Sequence, residues 1–199
     1  MIKTGLAAAL VAGATAVLLP MTAEAASFAY TTQLRGSNEV PPNASPATGM
    51  ATGSLLGDPD NWEFTYSLDF ADLSAELILA HIHVAAMPMG LPPTQQTGPV
   101  VHDLDSPPLG ATSGSIVGNW TSDEVVAAGV DPTVVYERFL AGQYYFNLHS
   151  NTPEFAAPGE IRGQIEFDDA AAVPEPAAVL GLLAVGAVGF GATRKKQIA

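Results

Sequence analysis

Cysteine is absent from all 199 residues, which excludes disulfides, thiolate metal sites and cysteine nucleophiles. Stability has to come from packing or from a bound ion. Cations are almost as scarce, with 7 Lys and Arg against 20 Asp and Glu. Between residues 26 and 169 only Arg35, Arg138 and Arg162 remain, against 18 acidic residues. A field of that sign repels phosphate backbones, so nucleic acid is not an expected partner, and weak association of divalent cations is favoured instead. Catalytic signatures are missing as well. There is no nucleophile elbow, no HExxH, no glycine-rich phosphate loop and no triad spacing, so the chain is expected not to be an enzyme.

Long apolar runs occur only at the two ends. Lys3 precedes an apolar stretch over residues 5–19, and Ala23-Glu24-Ala25 follows Pro20 with the small-x-small pattern that signal peptidase reads. Residues 1–25 are therefore expected to be a signal peptide cut after Ala25. At the other end, Val173-Pro174-Glu175-Pro176 precedes an apolar run over residues 177–192 and the cations Arg194, Lys195 and Lys196. The run is slightly shorter than the roughly 20 residues of a comfortable span, and its cations belong on the cytoplasmic side. Residues 170–176 are read as a linker and 177–199 as a transmembrane sorting helix with a basic tail. Tetrapeptide, apolar run and basic end together resemble the PEP-CTERM sorting signal. That resemblance implies an exosortase-type membrane protease as partner, transient anchoring in the inner membrane, and a final place on the cell surface or in an exopolysaccharide matrix.

The body, residues 26–169, has single-domain length. Trp62, Phe64, Tyr66, Leu68 and Phe70 alternate with Glu63, Thr65, Ser67 and Asp69, the period of a half-buried strand. Similar but weaker patterns predict strands at residues 28–34, 49–56, 78–84, 113–120, 144–149 and 161–167. Thr121-Ser122-Asp123-Glu124 has capping-box spacing, and Asp131-Pro132 opens a second helix closed by Gly142, with Val135 and Phe139 docking it on the sheet. Residues 86–99 and 103–112 read as surface loops. About seven short strands with one small helical insertion predict an all-β fold, an antiparallel sandwich or flattened barrel.

Four blocks then suggest a family. Residues 33–42 (QLRGSNEVPP), Ala80-His81-Ile82-His83, residues 142–150 (GQYYFNLHS) and residues 159–164 (GEIRGQ) resemble, in order, the CHRD domain found in chordin and in many bacterial secreted proteins. The resemblance implies an extracellular β-sandwich without an established enzymatic activity, and the strand pattern itself is expected to be immunoglobulin-like or superoxide-dismutase-like. Between His83 and Gly98 the chain departs from the family's usual glycine-bearing run.

The chemistry available lies with the histidines. Ile78, Ala80, Ile82 and Val84 alternate with His81 and His83, which places both imidazoles on the face opposite the core. Tyr144, Phe146 and Leu148 likewise leave Tyr145, Asn147 and His149 on the other face. If the two strands are neighbours, three imidazoles meet, with His102 as a candidate fourth. Such a set suits copper or zinc. The plainer alternative is a polar face that hydrogen-bonds covering loops. His-x-His with a later His is similar to the copper site of copper/zinc superoxide dismutase, with Arg162 where an anion-guiding cation would sit. Met87 and Met89 are candidate soft ligands, against the commoner role of filling a gap. Glu160 and Arg162 share a face, as an ion pair or as bonds to a neighbouring loop, with ligand binding as the alternative; Asn147 is a further candidate binding residue, and Tyr145 is the candidate platform of a carbohydrate site. The leading expectation is a binding or structural protein of the envelope or matrix, with a copper or zinc protein and a carbohydrate-binding module as alternatives.

Overall fold

The computed structural model describes residues 26–168; the signal peptide, the linker and the C-terminal helix expected from the sequence lie outside the described residues. The alternation around Trp62 forms a strand over Asn61–Ala71, and Trp62, Phe64, Tyr66, Leu68 and Phe70 are all buried. In chain order the strands are β1 (Ala26–Arg35), β2 (Thr48–Asp58), β3 (Asn61–Ala71), β4 (Leu77–Val84), β5 (Val100–Asp103), β6 (Gly114–Thr121), β7 (Tyr144–Ser150) and β8 (Ile161–Gln164). They make one antiparallel sheet in the order β5-β4-β7-β8-β1-β2-β3-β6, curled into a nearly closed barrel. One strand more than expected is present. β5 is only four residues long, too short to display a period.

The core fills the barrel with aromatic rings: Tyr30 stacks on Phe64 at 5.2 Å, and Phe64 meets Phe139 at 4.6 Å. Phe139 comes from α2 (Pro132–Leu140), which follows α1 (Ser122–Ala127). The first helix starts as its capping box predicts, with Thr121 and Glu124 bonding reciprocally. Asp131 caps the second, which carries Pro132 in its first turn. Val135, Tyr136 and Phe139 are its buried face. Truncating a ring held as Phe139 is, buried among Phe64, Trp120 and Tyr144, costs about 3–5 kcal/mol.

Closure fails only between β5 and β6, which share no ladder. Side chains seal that seam. His102 of β5 stacks on Trp120 of β6 at 5.1 Å, and an Asp105 carboxylate oxygen accepts from the Asn119 amide at 3.0 Å and from the Tyr66 hydroxyl. Gly118 makes this approach feasible, because a Cβ there would stand 2.1 Å from the Asp105 carboxylate.

Candidate metal centre

The histidine strands are neighbours: β4 pairs with β7 so that His81 faces Asn147 and His83 faces Tyr145. A bulge between Leu77 and Leu79 shifts the start of β4, so Leu77 takes the core position expected of Ile78, while Ala80, Ile82 and Val84 stay inside. His81, His83 and His149 therefore share the outer face of the barrel wall. That face is not open to solvent. Every residue of β7 is buried, the alternate ones because residues 36–47, 85–99 and 151–160 fold back over the sheet.

The three rings converge, with His81 and His149 centroids 5.2 Å apart and His81 and His83 centroids 5.6 Å apart. One nitrogen from each lies within 4.8 Å of the other two. Two rings have their protons placed by neighbours. His83 Nδ1 donates to the Gly98 carbonyl at 2.9 Å, and His81 Nε2 donates to the Asp103 carboxylate at 3.3 Å. The opposite nitrogens, His83 Nε2 and His81 Nδ1, have no hydrogen-bond partner, and neither does either nitrogen of His149. A carbonyl or carboxylate on one imidazole nitrogen fixes the tautomer that bares the other nitrogen, the arrangement found around metal-ligating histidines. Burial lowers the proton affinity of all three: His149 is brought down to about 4, with His81 and His83 adding to the effect and the nearby backbone of Ala156 and Phe155, which does not reach hydrogen-bond geometry with the ring, opposing it in part. His81 and His83 are lowered too, Asp103 and the Gly98 carbonyl opposing this in part. All three rings are thus neutral, with lone pairs available, at neutral pH.

His102 is not part of the group. Its register opposite Ile82 turns it to the core side, where it stacks on Trp120, away from the three rings that converge. Asp103, the next residue, faces outward to His81. Sequence reasoning missed both Asp103 and the Gly98 carbonyl. The first would have followed from a Val-Val-His-Asp strand placed beside β4, and the second is a backbone group that no residue pattern reveals.

Arg162 is a latch rather than an anion guide. It is buried, its Nη1 donates to the Gln96 carbonyl at 2.7 Å, and its Nη2 donates to the Pro93 carbonyl at 3.1 Å and to Gln164 at 2.9 Å. Its guanidinium lies 3.5 Å over the Tyr145 ring, which in turn stacks on His83. Tyr145, the candidate carbohydrate platform, is 2% exposed, one face under the Arg162 guanidinium and the ring stacked on His83. Glu160 pairs with loops, not with Arg162: one oxygen accepts from the Ser45 and Ser74 hydroxyls and from the Ser74 amide. Asn147 donates to the Pro158 carbonyl, and Gly159, at φ +100°, leaves room for it where a Cβ would stand 1.8 Å from its oxygen. Glu39, buried beside Arg162 and Asn147, has its carboxyl pushed up to about 8 by burial, the two neighbours opposing the shift.

Comparison with known families gives two matches. The family described as the CHRD domain matches residues 30–165, and the PEP-CTERM protein-sorting motif matches residues 172–196. No curated protein and no solved structure matches the chain significantly.

Proposed function

The chain belongs to the CHRD domain family and carries an exosortase-recognised sorting motif that marks an extracellular protein, and from that premise we propose that its body is an exported metal-binding module. The ion is copper or zinc, held by His81, His83 and His149, and the protein works by binding in the envelope or matrix, with no turnover of its own. One observation carries the reading. Three imidazoles, those of His81 and His149 buried and that of His83 half-buried, bring one nitrogen each within 4.8 Å of the other two. Each ring carries a nitrogen without a hydrogen-bond partner, and two of the rings are oriented by Asp103 and the Gly98 carbonyl. Three nitrogens around one tetrahedral ion stand about 3.3 Å apart, so ring rotations of the order of 1 Å convert the observed spacing into a bound one. A polar face kept only for hydrogen bonding would not leave these nitrogens bare, since each costs about 1–3 kcal/mol. The test is metal content. Full-length protein dialysed against zinc or copper is expected to keep one ion per chain, and His83→Ala to lose it. Retention of no ion by the wild type, or undiminished retention by the variant, refutes the proposal.

A further inference from the structure

Beyond the histidine centre, we propose that Met87 and Met89 form a surface docking site for a soft monovalent ion of the Cu(I) class, which is passed inward to the imidazoles without a change of oxidation state. In a body without cysteine, the sulfurs of Met50, Met87 and Met89 are the only soft donors. Thioethers select Cu(I) over harder ions. The ordinary role of a methionine is to fill a gap in a core, and these two do not: Met87 is 59% exposed and Met89 83%.

Their placement gives the exposure a use. Beyond His83 the β4 chain continues as a ribbon paired with residues 97–99: the Val84 amide bonds to Pro99, Ala86 bonds to Thr97, and Met87 exchanges both backbone bonds with Thr97. Thr97 is followed by Gly98, whose carbonyl orients His83. One ordered ribbon thus carries the thioethers at its outer end and the first imidazole at its inner end. Four residues of extended chain separate Met87 from His83, about 13 Å. Met89 stands two residues further on, and its unbranched side chain, like that of Met87, has three rotatable bonds with which to close on a shared ion. The acidic body adds a field that draws cations to this rim. The inference rests on the histidine reading only for the ion's destination; capture at the thioethers stands or falls separately.

Ag(I), redox-inert and similar in ligand preference, is the probe. Full-length protein carrying 13C-methyl methionine is titrated with Ag(I) in detergent micelles and followed by methyl correlation spectra. The Met87 and Met89 signals are expected to shift together and to saturate at one ion per chain while Met50 stays in place, and Met87→Leu/Met89→Leu is expected to weaken Ag(I) binding by about tenfold or more. The same shifts are expected in His83→Ala, which separates capture from the histidine site. Unmoved Met87 and Met89 signals, shifts matched by Met50, loss of the response in His83→Ala, or unchanged affinity in the double variant each overturn the proposal.

Discussion

Replacing His149 with leucine should make the metal-free protein more stable and the metal-loaded protein less so, a reversal that distinguishes a ligand from a structural histidine. His149 is 4% exposed and neither ring nitrogen has a partner. A buried polar atom without a partner costs about 1–3 kcal/mol. Leucine has nearly the same volume and removes both atoms, and a volume-conserving swap among packed neighbours costs less than about 1.5 kcal/mol. The net expectation at pH 7 is a gain of about 1–2 kcal/mol in the presence of a chelator. For a chain of this size that raises Tm by about 3–6 °C. With zinc at a hundredfold excess over Kd, the wild type gains about 2.7 kcal/mol and the variant gains little, so the order inverts. Calorimetry with chelator and then with zinc reads both halves. A chelated variant several kcal/mol less stable than wild type would mean that the ring is bonded to the protein after all, and an unchanged zinc response would remove it from the ligand set.

The depressed proton affinity of His149 makes stability fall with acid. In the unfolded chain the ring takes up a proton below about 6.5, while in the folded protein it stays neutral down to about 4. Its contribution is therefore fully present above pH 6.5 and lost as pH falls toward 4, about 3 kcal/mol over that window from this group alone. Chemical denaturation at pH 7 and pH 4 should show the loss in wild type and a smaller one in His149→Leu. Arg162→Lys should cost about 3 kcal/mol, because a single ammonium cannot reach the Pro93 and Gln96 carbonyls and Gln164 together. Hydrogen exchange at the Met87 and Thr97 amides should quicken in the same variant, and unchanged protection there would refute the latch.

What could be read from residues alone followed the strength of local periodicity. β3 alternates over nine positions and has a single interpretation, and the Thr121 and Asp131 caps announce both helices through side chains that act within one turn. The convergence of His81, His83 and His149 was accessible because period-2 geometry assigns faces, although the strand pairing itself had to be supposed. The covering of that face entered only as the plainer alternative, and which loops supply it was not accessible. Tyr145, Asn147 and His149 look outward by pattern, and only long-range bonds, such as Arg162 to Gln96 and Asn43 to Glu160, fold the loops over them. β5 escaped because four residues carry too little pattern, and with it went the assignment of His102 to the core side and of Asp103 to His81.

The unzipped seam between the first and last strands of the wall also bears on how the protein behaves among its own copies. A strand border with free amides and carbonyls is a template on which another chain can add and propagate a fibril. Here the two borders confront each other, and the Asp105 side chain occupies the Asn119 amide. An exported molecule thereby withholds the two open borders of its described sheet from its neighbours.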